Sequence, residues 1–280
     1  MSSCVNELAR FLREHRALVL TGAGCSTESG IPDYRGNGRS PRTTVQHRAF
    51  VGDAMVRKRY WARSFAGWPR IAEAQPNAGH RALAALEASG HIAGLVTQNV
   101  DGLHDAAGTQ RVVELHGALR NVRCLDCYAF EPRAELQRRL CELNPAVVPR
   151  AYEADGDASI EDADDFVVAD CLHCGGVLKP DVVFFGDNVA REKLAAAMAL
   201  FEEANALVVI GSSLQVFSGY RFVLRAVQAN LPIAIVNLGP TRSDPHATVR
   251  VTAPAGETLE GTWRALNVDR ASVDVDPTST

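Results

Sequence analysis

The sequence lacks the features that mark a membrane, nucleic-acid-binding or exported chain. It has no apolar run near the roughly 20 residues that a transmembrane helix requires. Its 29 Lys and Arg against 33 Asp and Glu leave no basic excess for phosphates. Residues 1–16 carry Glu7 and Glu14, which suits neither a signal peptide nor a transit peptide. We therefore expect a soluble cytoplasmic chain with no membrane partner and no direct nucleic-acid partner.

A disulfide framework of the secreted kind is also not indicated, because the 280 residues contain an odd number of cysteines, seven. Three of them stand alone. The other four form two Cys-x-x-Cys pairs, at Cys124, Cys127, Cys171 and Cys174. Two such pairs supply the four thiolates of a tetrahedral structural zinc site, which leaves no open position for water. We predict one structural Zn²⁺ that holds a small module together.

Short apolar runs are present and predict buried strands at 17–20, 92–96, 207–210 and 233–236. Helical patterns accompany them at 5–15, 78–88, 191–204 and 220–229. Buried strands that alternate with helices indicate an α/β fold with a parallel sheet covered on both faces. Ligands of such sheets bind at the carboxyl ends of the strands. The polar and glycine residues that follow each run are therefore the expected site.

The stretch from Cys124 to Cys174 breaks this rhythm, because it combines both cysteine pairs with a short helical pattern at 134–143 and an acidic run at 153–170. We interpret the acidic run as a solvated loop. The sequence predicts a discontinuous larger domain at 1–120 and 178–267, interrupted by a small zinc-binding module at 121–177. Residues 268–280 have little periodicity and are predicted to be a disordered tail.

A glycine-rich segment, Gly22-Ala23-Gly24, follows the first predicted strand. Glycines there let backbone amides approach a pyrophosphate, and the alternative is a tight structural turn. The segment departs from the dehydrogenase fingerprint, because Thr27 stands at the third glycine position and Arg42 stands where an acidic residue is expected. A hydride-transfer enzyme is therefore a poor fit.

Further motifs are distributed along the rest of the chain. They are GIPDYR at 30–35, QNVDGLH at 98–104, ELHG at 114–117, KPDVVFFGD at 179–187, GSSL at 211–214 and NLG at 237–239. Together they resemble the sirtuins, NAD-dependent protein lysine deacylases, some with ADP-ribosyltransferase activity, built from a Rossmann-type domain and a small zinc module. Residues 59–63, 67–69 and 240–244 look most similar to class II sirtuins, whose mitochondrial members include a lipoamidase.

The resemblance implies three catalytic residues. His116 would be the base that accepts a proton from a ribose hydroxyl, a task that suits an imidazole that titrates near neutral pH. Asn99 and Asp101 would orient the ribose and the nicotinamide amide. Without the motif, His116 would be interpreted as a core histidine, and the other two as helix caps. His104 is interpreted as a structural partner.

The resemblance also implies which residues contact NAD, the co-substrate. They lie in the loop after the first strand and at the later strand ends: Gly22, Ala23, Gly24, Asp33, Tyr34, Arg35, Gln98, Asn99, Val100, Asp101, Gly211, Ser212, Ser213, Asn237, Leu238, Gly239 and Ala255. Ala255 would offer adenine only backbone contacts.

The partner implied by the resemblance is acylated lysine in a protein substrate. An apolar strand is predicted over Val182, Val183, Phe184, Phe185 and Gly186, and it would pair with the acylated peptide by strand addition. Phe185 would line the acyl-lysine tunnel.

Tyr60 and Arg63 are similar to the pair that binds the distal carboxylate in sirtuins selective for acidic acyl groups. The alternative is that Arg63 lies on the surface of a helix.

The activity implied is NAD-dependent removal of acyl groups from lysine, yielding nicotinamide, 2'-O-acyl-ADP-ribose and free lysine. Protein mono-ADP-ribosyl transfer is an alternative with the same nicotinamide site. A non-catalytic NAD-sensing module is an alternative of another class, and it would have no need of a base at His116.

Overall fold

The computed structural model describes residues 3–33, 44–147 and 163–273. The strands are β1 Ala17–Thr21, β2 Ile92–Thr97, β3 Val112–Glu114, β4 Gly117–Cys124, β5 Phe130–Pro132, β6 Leu178–Val182, β7 Ala206–Ile210, β8 Ile233–Val236 and β9 Val249–Val251. The helices are α1 Ser3–Glu14, α2 His47–Gly52, α3 Ala54–Glu73, α4 Ala78–Ala88, α5 Leu103–Ala106, α6 Arg133–Leu143, α7 Arg191–Glu202, α8 Phe217–Gln228 and α9 Ala255–Val273. None of the helices in these ranges has both the length and the apolar character needed to cross a bilayer.

Six strands form one parallel sheet in the order β3-β2-β1-β7-β8-β9. Without the three strands inserted between β3 and β7, this is the 3-2-1-4-5-6 order of a Rossmann sheet. The order reverses between β1 and β7, and such a reversal opens a crevice at the carboxyl ends of the strands. The predicted parallel sheet is confirmed, and the four predicted runs are β1, β2, β7 and β8.

Helices cover both faces of this sheet. The apolar side chains of β1 point alternately to the two faces, so each face needs a covering layer. Ala17 and Val19 pack into one core with residues of α1, α4 and α9. Leu18 and Leu20 pack into the other core with residues of α7 and α8. Burial of each leucine stabilises the fold by roughly 1.5–3 kcal/mol. A strand buried on both faces explains why this run is continuously apolar.

A second sheet, antiparallel in the order β5-β4-β6, carries the cysteine pairs. Its core also includes α2 and α3, because Phe50, Trp61 and Phe65 pack with side chains of this sheet and of α6. The indole Nε1 of Trp61 donates a hydrogen bond of 3.2 Å to the Leu178 carbonyl. Packing therefore extends the small module beyond residues 121–177 and adds the two helices to it.

Two predicted elements differ in the structure. The predicted strand at residues 182–186 is wrong, because β6 ends at Val182. Val182 pairs with Gly117, the first residue of β4. After it, the Val183 amide donates to the His116 carbonyl, and Phe185 forms an isolated parallel bridge with Gln46 instead of extending the ladder. The predicted tail is also wrong for its first part, because α9 continues to Val273. Residues 274–280, and residues 153–162 of the acidic run, lie outside the described part of the chain.

Candidate active site

Two glycine-containing loops meet at the point where the strand order reverses. The Gly22 amide donates to the Ile210 carbonyl at 3.0 Å, and the Gly24 amide donates to the Gly211 carbonyl at 2.9 Å. A Cβ at Gly22 would lie 2.7 Å from the Ser212 Cβ, closer than real Cβ atoms approach. Gly211 has a φ of 61°, which side chains disfavour. These glycines therefore form a tight turn, and their predicted contact with a pyrophosphate stays a prediction.

Polar side chains after β2 point into this junction. The Asn99 Nδ2 donates to the Gly22 carbonyl at 3.1 Å and to the Ser26 Oγ at 3.0 Å. The Ser26 hydroxyl donates to the Asp101 Oδ2 at 2.7 Å. The Gln98 Nε2 donates to the Ser212 Oγ at 2.8 Å. The structure thus brings together the predicted residues that follow β1, β2 and β7.

The capping alternative also holds for Asp101, whose Oδ1 accepts from the Leu103 amide at 3.0 Å at the start of α5. The two oxygens of this carboxylate therefore have different partners. One oxygen closes the turn before α5, and the other holds the Ser26 hydroxyl.

His116 lies in the turn between β3 and β4. Its Nδ1 is 2.9 Å from the Gln98 carbonyl oxygen, which can only accept, so Nδ1 carries the proton. Its Nε2 therefore has the lone pair and accepts from the Ser218 Oγ at 2.7 Å. Burial lowers the pKa of His116, the Gln98 carbonyl raises it, and the charge of Lys193 lowers it. The neutral imidazole is thus favoured at pH 7, as a base requires.

Two further histidines are buried behind this edge. The His104 Nε2 lies 2.9 Å from the Thr21 Oγ1, and burial places its pKa well below the usual value. The His80 Nδ1 accepts from the Asn77 amide at 3.3 Å, as part of the N-terminal cap of α4. Burial lowers the pKa of His80 to about 4, although Asp101 acts in the opposite direction. His104 is indeed a structural partner of Thr21.

The later strand ends complete the edge. Arg250 fixes the turn after β8, since its guanidinium donates to the Asn237 carbonyl at 2.8 Å and to the Gly239 carbonyl at 2.7 Å. Leu238, between them, is 66% exposed. The Ser213 carbonyl accepts from the Arg242 amide at 3.0 Å. The predicted residues here form an exposed turn with a fixed backbone.

Ala255 begins α9 and is buried. The next amide, of Gly256, donates to the Glu28 Oε1 at 3.0 Å. A carboxylate at a helix N-terminus is stabilising. This contact ties the loop after β1 to α9. Asp33 is the last described residue of that loop, and the predicted Tyr34 and Arg35 lie outside the described residues.

The predicted acyl-lysine residues gather around an aromatic cluster. Phe184 is buried, with ring centroids 5.1 Å from Phe50 and 5.2 Å from Tyr60. Phe185 is 41% exposed, and its carbonyl accepts from the His47 amide at 2.9 Å. Arg63 is half-buried on α3, one turn after Tyr60. The surface-helix alternative therefore holds in part for Arg63.

The four paired cysteines form a candidate metal centre, and their ligand atoms all lie within 4.8 Å of one another. The sulfur of Cys124 is 3.5 Å from that of Cys174, and the sulfur of Cys127 is 3.7 Å from that of Cys171. Zn–S bonds of about 2.3 Å place the corners of a tetrahedron about 3.8 Å apart. The donor set and spacing thus fit one structural Zn²⁺.

Sequence reasoning missed several contact residues of this edge. Ser26 links Asn99 to Asp101, and Ser218 meets His116. A Cβ on Gly219 would overlap the Gln98 side-chain amide, so the glycine admits this amide. Ser26 lies within the glycine-rich segment and carries a local signal. Ser218 and Gly219 lie on α8 and carry none.

The Sir2 family model matches residues 22–218. The chain belongs to the Sir2 family. This Sir2 protein is 50% identical over 265 residues to the NAD-dependent protein lipoamidase sirtuin-4, mitochondrial, of Bos taurus, and the match covers 91% of this chain and 84% of the relative. It is 51% identical over 260 residues to an NAD-dependent protein deacetylase of Xanthomonas axonopodis pv. citri (strain 306), with 90% and 88% covered.

Among solved structures, this Sir2 protein is similar to Sir2 with a p53 peptide and NAD⁺. The TM-score is 0.79 and the identity is 30%, and the match covers 96% of this chain and 100% of the solved one. The resemblance to sirtuins that the motifs indicated is therefore confirmed.

Proposed function

We propose that this Sir2 protein removes acyl groups from protein lysines with NAD as co-substrate. The names of its relatives, a lipoamidase and a deacetylase, support this activity. The observation that carries the proposal is the neutral imidazole of His116, whose Nε2 lone pair lies at the carboxyl edge of a Rossmann sheet. A binding module would have no use for such a base.

The residues at the strand-order reversal fit a dinucleotide. Gly22, Gly24 and Gly211 remove side chains where the loops approach most closely, and Gln98, Asn99 and Asp101 supply polar groups. When bound, NAD supplies a ribose carbon with nicotinamide as its leaving group and a ribose hydroxyl that takes up the acyl group. We expect Asn99 and Asp101 to orient the ribose end, because Ser26 holds both side chains in place.

His116 would take the proton from that hydroxyl at Nε2. The Gln98 carbonyl supports this step, because it keeps accepting from Nδ1–H when the ring becomes positively charged. Ser218 must yield its hydrogen bond to Nε2 or pass the proton on, because its hydroxyl occupies the lone pair. Removal of a base of this kind costs about 10²–10⁴-fold in rate.

The acylated peptide would lie along residues 182–186. The Val183 amide donates to the His116 carbonyl at 2.8 Å, which joins this stretch directly to the base. Phe185, at 41% exposure, would contact the acyl-lysine chain. A cytoplasmic location stays a prediction, and the bovine relative is named mitochondrial.

The first test incubates the protein with NAD and lysine peptides that carry acetyl, succinyl, methylglutaryl or lipoyl groups. Nicotinamide release and peptide mass are followed for wild type and His116→Ala. We expect one acyl group lost per nicotinamide, and a loss of at least 10²-fold in His116→Ala at unchanged melting temperature.

Two results would contradict the deacylase proposal. Nicotinamide release with intact peptides, together with ADP-ribose retained on protein, would favour mono-ADP-ribosyl transfer. No release with any peptide would favour an NAD sensor. Loss of structure in His116→Ala would instead assign the residue a role in the core.

A finer proposal concerns the acyl group. Tyr60 packs on Phe184, next to Phe185, and Arg63 lies one turn further along α3. We expect Arg63→Met to lower kcat/KM for a succinyl peptide by about 10–100-fold, because a hydrogen bond to a charged group is worth about 1.5–3 kcal/mol. The acetyl peptide serves as the control and should change by less than threefold. Equal losses on both peptides would exclude a carboxylate contact.

A further inference from the structure

Three buried side chains beside the Gly22 loop form a second cluster of soft metal ligands. Cys25, His80 and His104 each offer one ligand atom, and these atoms all lie within 4.8 Å of one another. Their exposed fractions are 2%, 0% and 2%. The cluster shares no residue with the four-cysteine centre, and the reaction proposed above uses none of the three as base or nucleophile.

The hydrogen bonds of His104 leave one of its nitrogens with a free lone pair. The Thr21 hydroxyl donates to the Thr97 Oγ1 at 2.8 Å, so it accepts from the His104 Nε2–H. The Nδ1 of this tautomer has no proton, and it is buried without a hydrogen-bond partner. A buried acceptor in this state costs about 1–3 kcal/mol. A metal ion at Nδ1 would remove this cost, and Thr21 would fix the ring as an outer oxygen partner does for metal-bound histidines.

The other two ligands can be recruited at low cost. Both hydrogen bonds of His80 are long, 3.3 Å from the Asn77 amide to Nδ1 and 3.4 Å between Nε2 and the Ser26 Oγ, so neither holds the ring strongly. Burial raises the pKa of the Cys25 thiol to about 12, so the sulfur keeps its proton until a cation displaces it. Cys25 does not depend on its sulfur for position, since its carbonyl accepts from the Asn77 Nδ2 at 2.8 Å.

We propose that Cys25, His80 and His104 form a second metal site, which takes a zinc-class cation through one thiolate and two imidazoles. Binding of Zn²⁺ forms one Zn–S bond and two Zn–N bonds, and releases the thiol proton of Cys25 to solvent. The thiolate leaves the ion with a residual charge of +1, which the nearby carboxylates of Asp101 and Glu28 offset, since both act on Cys25. Three protein ligands leave the fourth position of the tetrahedron for water.

Occupation of this site would alter the NAD edge, by which we mean the carboxyl ends of β1, β2 and β7 and the loops that follow them. The His80 Nε2 faces the Ser26 Oγ, and Ser26 holds Asn99 and Asp101. A metal ion that draws His80 toward Cys25 breaks the contact with Ser26 and loosens both polar side chains. Bound zinc should therefore weaken NAD binding. This coupling rests on the proposed NAD site, whereas the metal site itself does not.

The first experiment tests the metal site without NAD. Protein with one zinc per chain in the four-cysteine centre is titrated with Co²⁺, whose thiolate charge-transfer absorption reports sulfur ligation. Wild type and Cys141→Ala, a matched exposed cysteine, should both bind one equivalent with this absorption. Cys25→Ala should lose the absorption and at least tenfold in affinity.

Failure of wild type to bind cobalt with thiolate absorption would overturn the site, and this outcome does not depend on how the variant folds. The same absorption in Cys25→Ala would also overturn it, because it would assign the cobalt to the four-cysteine centre. Thermal melting of Cys25→Ala shows that the comparison is made on folded protein.

The second experiment tests the coupling. NAD affinity is measured by calorimetry with and without one added equivalent of Zn²⁺. We expect at least a fivefold weakening in wild type and no change in Cys25→Ala. Equal NAD affinities of wild type with and without zinc would overturn the coupling, and the cobalt titration would still decide the site separately.

Discussion

Ser26 is the residue on which the polar groups of the NAD edge depend. Its hydroxyl donates to Asp101 and accepts from the Asn99 Nδ2, and the His80 Nε2 lies 3.4 Å away. A hydroxyl has one proton and two lone pairs, so these contacts use its full capacity. Removal of this oxygen would leave buried polar groups without a partner, which is costlier than loss of an exposed contact.

The electrostatics of His116 give a pH prediction at this same scale. Burial and the charge of Lys193 both lower the pKa of His116. The base form therefore persists below pH 6.5, and activity is lost only as pH falls through the lowered pKa. Lys193→Ala removes a positive charge, so it should raise this pKa and move the acid limb of kcat/KM to higher pH.

The matched control is Lys193→Arg, which keeps the charge and should keep the wild-type pH profile. High salt should reduce the difference between Lys193→Ala and wild type. An acid limb at the same pH in all three proteins would show that Lys193 does not act on the titrating group.

Single residues also show how far the sequence predicts the site. Motif resemblance identified His116, Asn99 and Asp101, which the structure brings to one edge. Contacts such as the one between His116 and Ser218 could not be predicted, because they join distant positions and Ser218 lies just before the predicted helix at 220–229, outside every motif. The unpartnered Nδ1 of His104 could not be predicted either, because its protonation follows from hydrogen bonds that only the structure shows.

Among the elements, α8 contacts two of the predicted site residues. It presents Ser218 to His116 and, one residue later, Gly219 to the Gln98 amide. Glycine has a lower helix propensity than alanine, by about 1 kcal/mol in a helix interior, and Gly219 lies in the first turn of α8. Glycine is required at position 219 because a side chain there would overlap the Gln98 amide.

Gly219→Ala should therefore impair binding more than folding. The added Cβ overlaps the flexible end of Gln98, which can swing away but then loses its bond to the Ser212 Oγ. We expect a severalfold rise in KM for NAD, with a melting temperature within a few degrees of wild type. Gly67→Ala on α3 is the control, since its Cβ meets open space. It should raise stability and leave KM unchanged, and equal KM values for both variants would contradict the argument.

The elements differ in how well the sequence predicts them. The strands β1, β2, β7 and β8 are continuous apolar runs, and burial on both faces makes such runs visible. β3 and β9 have three residues each, too few to show a pattern. The end of β6 depends on where β4 begins, which is a property of the pair.

At the scale of the whole molecule, the zinc centre links the small module to the NAD edge through two strands. β4 begins directly after His116 and ends at a metal-ligating cysteine, Cys124. β6 begins four residues after Cys174 and ends at Val182, the first residue of the proposed substrate stretch. Each of these strands has one end near the metal ligands and the other end at the site, so we expect loss of the metal to loosen the site through them.

Cys171→Ser should lower zinc content, stability and activity together. A chelator should have the same effect on wild type, because an incomplete or empty shell no longer links the two cysteine pairs. In a Trp263→Phe background, emission comes from Trp61 and Trp68 on α3, and it should shift to the red as the module opens. Unchanged zinc content and melting in Cys171→Ser would contradict this prediction, and far-UV circular dichroism should show that the larger sheet persists.

During synthesis, β1 is made long before its neighbour β7. Its neighbour β7 aligns Ala206 with Ala17, so the centre of the sheet stays open on one side until the ribosome has made the intervening chain. At about 5–20 residues per second this interval lasts roughly 10–40 s. During that time β1, apolar on both faces, exposes an unpaired backbone edge, the kind of surface that aggregates. Nascent chains of this protein should therefore depend on chaperones until residue 210 has left the exit tunnel.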